Sequence, residues 1–303
     1  MENLRLLPAY YLLNLLGLLM LVGCTIDKAE PGGTDLPNRY DDSKNLRVAT
    51  TTSLYDTGLW DQIEHIFENQ YQLDVEFITG GSGKAIQLGE SGDTDMITIH
   101  DYFREQAFIS NGYGNSRAPF AYNYFLIVGP ENDPAMIRDM DAVSAFTKII
   151  EKGKENPASV RFASRGDESG THSREMQLWE KAGHKYDDVR NSGRWYIEAG
   201  TGMGALLILS DDESAYTLTD IGTYLVYKDK LRLVPLVDSG EDLLNIYSAI
   251  TINPSRHQNV KTNLSEIFID FLISDETQRF IASFGMDQYG TSIFSPVSDL
   301  KNK

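Results

Sequence analysis

The sequence predicts an α/β protein built as two lobes with a ligand cleft between them. Three observations carry that expectation. Strand-like apolar runs alternate with helix-period segments through most of the 303 residues, the succession expected of a parallel-type sheet flanked by helices. Two long strand-like runs, 120–128 and 245–252, stand at either end of a central segment large enough for a second domain. Polar turns rich in hydroxyls and glycine recur where a strand passes into a helix. A chain that crosses to a second lobe and returns can close by hinge motion, with ligands at helix N-termini facing the cleft.

The N-terminal stretch stands apart from this alternation. Leu6 to Gly23 is an apolar run broken by Pro8 and Asn14, preceded only by Glu2 and Arg5 as charges. It ends Leu21-Val-Gly-Cys24, which resembles the lipobox of bacterial lipoproteins. The resemblance implies a signal peptide over 1–23, cleavage before Cys24 and a lipid on its thiol. Cys24 is the only cysteine, so no intrachain disulfide can form. Residues 24–45 carry Pro31, Gly32, Gly33 and Pro37 without apolar period and read as a tether that holds the folded part off the membrane.

From Leu46 the elements follow in order. Leu46, Val48 and Ala49 make a strand, and Leu59, Ile63, Ile66 and Phe67 recur at helical spacing. Leu73–Ile78 is a strand and Lys84–Leu88 a helix. Asp95–Ile99 is the next strand, Tyr102–Ser110 the next helix, and Phe120–Val128 a long strand closed by Gly129-Pro130. A helix over Val143–Lys152 presents Val143, Phe146, Ile149 and Ile150 on one face. Ser159–Ala163 is a strand, Thr171–Ala182 a helix, and Gly193–Ala199 extended. Helices are expected over Gly202–Leu209 and Leu218–Tyr227, a strand over Leu231–Val237, and the long strand Asn245–Ile252. Helices over Leu264–Ile273 and Glu276–Phe284 close the chain. The lobe boundaries that follow are 46–128 with 246–303 for the first and 129–245 for the second.

Chemistry gathers at the strand-to-helix turns. Thr50-Thr-Thr-Ser53 ends the first strand, where free backbone N–H groups and the helix dipole favour an anion. A plain cap needs one hydroxyl, and Ser53-Leu-Tyr-Asp56 fits the capping-box pattern, which leaves the other hydroxyls to explain. Ser164-Arg-Gly-Asp-Glu-Ser-Gly-Thr-His172 repeats the design and adds Arg165, a fork of donors suited to a tetrahedral oxoanion. Asp167 and Glu168 are expected to face outward or to orient Arg165. The turn Gly80-Gly-Ser-Gly-Lys84 offers Ser82 to a small anion. It is not a phosphate loop of the nucleotide-binding type, because Ile78 and Ala85 stand where that motif needs Gly and Ser or Thr.

Other functions find less support. The net charge is -17, with no basic stripe, which argues against nucleic acid. Gly200-Thr-Gly-Met-Gly-Ala205 matches a dinucleotide fingerprint only loosely, with Asp220 not visibly at a strand end. That leaves an NAD-dependent oxidoreductase as a weak alternative. Ser169 lacks the flanking Gly of a hydrolase elbow. His65, His100, His172, His184 and His257 are scattered, so neither a metal nor a cofactor is expected.

The assembled motifs resemble the tungstate-binding proteins of ABC transporters, the TupA type. They are Ala49-Thr-Thr-Thr-Ser53 with Asp56-Thr-Gly-Leu59, Gly81-Ser-Gly-Lys-Ala85, Tyr122-Asn-Tyr124 with Val128-Gly-Pro130, and Ser164 to His172 with Leu178-Trp179. Gly202-Met-Gly-Ala205, Tyr216-Thr-Leu-Thr-Asp220 with Gly222-Thr-Tyr224, and Tyr289-Gly290 complete the set. The resemblance runs from about Leu46 to Val297. It implies a type II periplasmic-binding-protein-like fold and no enzymatic activity. It further implies an extracytoplasmic, lipid-anchored monomer that captures tungstate for a membrane permease; an oxoanion sensor domain is the alternative role. Carried over by position, the ligand donors are Thr51, Thr52 or Ser53 with Ser82 from the first lobe, and Arg165, Ser169 or Thr171 from the second. Ser82 stands where the family has Thr, and Ile221 where it has Arg. A tungstate dianion needs only donors, and about seven charge-assisted bonds at ~1.5 kcal/mol sum to roughly 10 kcal/mol, the scale of sub-micromolar to nanomolar binding. Tungstate and molybdate are too alike in size and charge for the sequence to separate them.

Overall fold

A computed structural model describes residues 42–302; the expected signal peptide, Cys24 and most of the expected tether lie outside the described residues. The chain runs β1 (Asn45–Thr51), α1 (Thr52–Tyr55), α2 (Leu59–Tyr71), β2 (Asp74–Gly80), α3 (Ser82–Ser91), β3 (Met96–Ile99), α4 (Tyr102–Ser110) and β4 (Gly114–Pro130). It continues α5 (Ala142–Glu155), β5 (Phe162–Ser164), α6 (Gly170–Lys181), α7 (Tyr186–Arg190), β6 (Tyr196–Glu198), α8 (Met203–Asp212), β7 (Thr217–Asp220) and α9 (Ile221–Tyr227). It closes β8 (Leu233–Val237), β9 (Leu244–Ile252), α10 (Thr262–Leu272), α11 (Asp275–Ser283), α12 (Met286–Tyr289) and β10 (Ser295–Pro296).

The main sheet has the order β10-β4-β9-β3-β1-β2, with β7 and β8 also on β4. It is mixed, where a parallel type was expected. β1 pairs in parallel with β2 and β3, but β9 lies antiparallel to β3 and β4. The reason is β4. It starts six residues before the expected Phe120 and pairs with β9 through Tyr124. From Phe125 it turns to β7 and β8, again antiparallel. One strand thus serves two parts of the molecule, and β9 carries the chain back.

The apolar residues follow the same division. Trp60, Phe67, Phe120 and Phe268 centre one cluster, beside a second built on Ala49, Ile97, Phe108 and Ile250. Phe125, Phe146, Phe162 and Trp179 centre a third, beside Leu126, Val128, Met203 and Leu207. The helices bury their periodic faces as expected. In α5, Phe146, Ile149 and Ile150 turn inward, while Asp141 caps its N-terminus by accepting from the Ser144 N–H at 2.9 Å.

One element differs in kind. The segment expected as a helix over Leu218–Tyr227 begins as β7 and becomes helical only at Ile221. Thr217 and Thr219 are β-branched and buried against β4. Asp220 then accepts from the Thr223 N–H at 2.8 Å and starts the helix. Asp220 therefore does end a strand.

Candidate anion-binding site

Strand alternation decides which hydroxyls reach the cleft. Thr50 points into the core, accepting from Trp60 Nε1 at 2.9 Å and Thr98 Oγ1 at 2.8 Å. Thr51 faces the other way. The chain then makes the single turn α1, ends it near Asp56, and restarts at Leu59 after Gly58, whose φ of 77° is left-handed. The capping box expected at Ser53 does not form. The N-cap position is Thr51, without a side-chain cap bond, and Ser53 lies inside α1. Its Oγ is instead 3.4 Å from His100 Nε2 and 3.5 Å from Thr51 Oγ1.

Six of the seven expected ligand residues, Thr51, Thr52, Ser53, Ser82, Arg165 and Ser169, line one cavity of about 280 Å³. Three helix N-termini meet there: α1 after β1, α3 after β2, and α6 after β5. Thr171 is buried as the second residue of α6 but is not among the lining residues. The Ser82 and Thr171 hydroxyls are both buried and make no hydrogen bond among the described residues, a costly state unless a ligand or water answers them. A larger adjoining cavity of about 470 Å³ shares Thr52, Ser53 and Arg165 and runs on to the N-terminus of α8.

The loop between β5 and α6 is braced from within. Asp167 accepts from Arg165 Nε at 3.0 Å and from the Ser169 N–H at 3.2 Å, so it orients the guanidinium, one of the two roles expected of it. Ser169 caps α6 by accepting from the His172 N–H at 3.3 Å. Gly166 and Glu168 both take positive φ, 57° and 59°, and the Glu168 N–H donates to His172 Nδ1 at 3.0 Å. That bond fixes the His172 proton on Nε2, which donates to Tyr186, and Tyr186 in turn donates to Glu198. Burial holds His172 below the usual histidine range. Under the loop Glu175 is fully buried and accepts from Ser164, Trp179 and Tyr196 at 2.6, 2.9 and 2.6 Å. Burial outweighs these donors and pushes its carboxyl up to about 7.

The two sides touch at the cavity. Arg104 of α4 donates to the Glu168 carbonyl at 2.8 Å. A side chain at Gly170 would begin 3.0 Å from His100 Cε1 and 3.3 Å from Ser82 Oγ, so the start of α6 lies directly on the first side.

Sequence reasoning missed His100. It lines the cavity, yet its ring is held by Asn245, 145 residues away, at 2.9 Å. No local pattern signals such a pair. His100 and the Asp167 carboxylate also bring acceptors into a wall expected to hold donors only. The loose dinucleotide fingerprint fares poorly: β6 pairs only with β5, and the Asp220 carboxylate is occupied by the Thr223 N–H and hydroxyl.

Comparison with known proteins agrees with this geometry. The model of the PBP superfamily domain matches residues 38–276. A tungstate-binding protein TupA of Peptoclostridium acidaminophilum is 33% identical over 281 residues, 92% of this chain and 93% of that one. The chain belongs to the TupA family of the PBP superfamily. A putative ABC transporter anion-binding protein of Haloferax volcanii is 38% identical to this TupA-family chain, covering 84% of it and 72% of the relative. The solved structure of the tungstate-binding protein TupA from Desulfovibrio alaskensis G20 superposes with a TM-score of 0.72 at 34% identity, covering 83% and 98% of the two chains. The two-lobed fold of this TupA-family chain, with its cleft between the lobes, is that of the periplasmic-binding-protein class.

Proposed function

We propose that this protein captures tungstate between its lobes and delivers it to an ABC permease outside the cytoplasm. The observation that supports this most is the convergence of Arg165 with hydroxyls from three helix N-termini on one small cavity. Buried, unanswered hydroxyls at Ser82 and Thr171 add to it. Relatives named for tungstate binding are similar over nearly the whole chain. The donors we assign are Thr51, Thr52, Ser53, Ser82, Arg165, Ser169 and Thr171. The protein acts by binding and closure, not by covalent chemistry.

The lobes we assign are 46–128 with 246–303, and 129–245, hinged on the crossing strands β4 and β9. Cys24 is the proposed lipid anchor, and the protein works as a monomer. Among the described residues no helix is long and apolar enough to cross a membrane. Isothermal titration with tungstate, molybdate, sulfate and phosphate tests the reading. Tungstate should bind with a sub-micromolar Kd and compete out the weaker sulfate and phosphate. No heat with any oxoanion would overturn it.

A further inference from the structure

His100 stands in the cavity wall with one ring nitrogen held by Asn245 and the other turned toward Ser53. The Asn245 amide nitrogen donates to Asn123 Oδ1 and to the Tyr247 hydroxyl, each at 2.9 Å. With the amide in this orientation its oxygen faces His100 Nδ1 at 2.9 Å, an arrangement in which Nδ1 is the donor. In a neutral ring this leaves Nε2 as an acceptor, with the Ser53 hydroxyl as its donor in the free protein. Nε2 lies 3.4 Å from Ser53 Oγ, and 3.2 Å from where a side chain at Gly170 would begin. It thus faces the point where the first-lobe hydroxyls meet the start of α6.

A lone pair and a dianion repel each other unless a proton comes between them. We propose that His100 is a further direct contact of the bound oxoanion, and that tungstate binding draws one proton from solvent onto its Nε2. The proton makes Nε2 a donor to an oxoanion oxygen. No bond other than N–H forms, and Nδ1 keeps its bond to Asn245. The inference rests on the tungstate reading above.

The charges around the ring fit the free and bound states. Burial holds His100 below the usual histidine range, and Arg165 across the cavity works in the same direction. Asp101 beside it and Asp220 at the end of β7 favour the charged ring, as does its bond to Asn245. Asp167 lines the same cavity but is paired with Arg165. Arg104 is engaged with Asp101, and Arg174 of α6 with the carbonyls of Asp242 and Leu244. Asn123, Asn245 and Tyr247 are neutral, and burial holds the Tyr247 hydroxyl protonated. The free ring is therefore neutral at neutral pH. A bound dianion offsets Arg165 and adds its own attraction for a positive charge, so the bound ring is protonated.

The sign of the pH dependence follows from linkage. The bound pKa is raised above the free one, so affinity is highest below the free pKa. It falls as pH rises, by about tenfold in Kd per pH unit, until the bound pKa is passed. Titrating the full protein with sodium tungstate at pH 7.5, in buffers of different ionisation enthalpy, counts the protons. The expected result is about one proton taken up per tungstate bound, and none for His100→Gln, whose weaker binding should be flat with pH. A second measurement needs no variant. In protein labelled with ¹⁵N-histidine, the His100 Nε2 signal should be that of an unprotonated nitrogen without tungstate and a protonated one with it. Tungstate binding without proton uptake, uptake that persists in His100→Gln, or an Nε2 already protonated in the free protein would overturn this proposal and leave the tungstate reading standing. No tungstate binding at all would overturn both.

Discussion

The two walls of the cavity are built on opposite plans. The wall we assign to the first lobe is a set of hydroxyls at two helix starts, Thr51 to Ser53 and Ser82, with few internal bonds: Ser82 Oγ has none among the described residues, and α1 lacks a side-chain cap. The second-lobe wall is a loop in which almost every polar group is already engaged. Arg165 is held by Asp167, Ser169 caps α6, and His172 fastens Glu168. One side offers hydroxyls, of which Ser82 Oγ is without a partner among the described residues, and the other offers a charge fixed in place beside the equally unanswered Thr171 hydroxyl. The difference teaches how an uncharged hydroxyl wall and a braced, charged one would divide the work at the proposed site. The braced wall supplies electrostatic strength with little left to order on binding. The open wall, on the proposed reading, adds hydrogen bonds that form when ligand arrives.

The largest expected effect falls on the braced wall. Arg165→Ala removes the cation and leaves Asp167 facing the anion. Tungstate Kd should rise by about 100-fold or more, in line with truncating one partner of a buried charge pair. A loss of only a few-fold by calorimetry would mean that the hydroxyl wall, not the braced one, carries the charge recognition. Next is the seam between the walls. Gly170→Ala puts a methyl 3.0 Å from the His100 ring and 3.3 Å from Ser82 Oγ, which holds the lobes apart. Tungstate affinity should fall by about tenfold with the melting temperature of the free protein little changed. Unchanged affinity would show that the seam does not need close approach.

Smaller still is Ser82→Ala on the open wall. It deletes one donor, worth about 1 kcal/mol, or roughly fivefold in Kd. Because the hydroxyl makes no bond among the described residues in the free protein, thermal stability should hold or rise slightly. A loss equal to that of Arg165→Ala would erase the contrast between the walls. The smallest effect on binding belongs to Glu175, which lies under the braced loop away from the cavity. Its carboxyl titrates near 7 when folded, against an ordinary value of 4.5. The folded state therefore holds more protons between those values, and stability falls as pH rises through that window, by roughly 3 kcal/mol at most. Glu175→Gln should remove that slope in thermal melts from pH 5 to 8 while tungstate affinity near pH 7 moves less than about twofold. A slope that survives would remove Glu175 from the account of the brace.

Much of the site was legible because its chemistry is local. A strand that ends in hydroxyls and passes into a helix is by itself an ordinary cap as readily as an anion-binding turn, and it is the recurrence of that pattern with Arg165 that points to an anion. The helices α4 and α6 match their expected bounds to within one residue, whereas α3 begins at Ser82, two residues before the expected Lys84, and runs to Ser91 rather than Leu88. The helix expected at Leu218 failed on a tertiary term. Leu218 is apolar at helical spacing from its neighbours, but pairing with β4 claims Thr217 to Asp220 before the helix starts.

What the sequence by itself determined is therefore the residue types gathered at the strand-to-helix turns, most of the element order and the two long strands on which the chain crosses. What only the tertiary structure decided is how they are aimed. Pairing with β2 and β3 turns Thr50 into the core and Thr51 to the cavity. The switch of β4 at Phe125 makes the sheet mixed. The approach of Asn245 to His100 across 145 residues sets which ring nitrogen faces the cavity. Donor chemistry is a property of residue type and short-range turn geometry. Aim, pairing and protonation depend on partners that the chain brings close only when it folds.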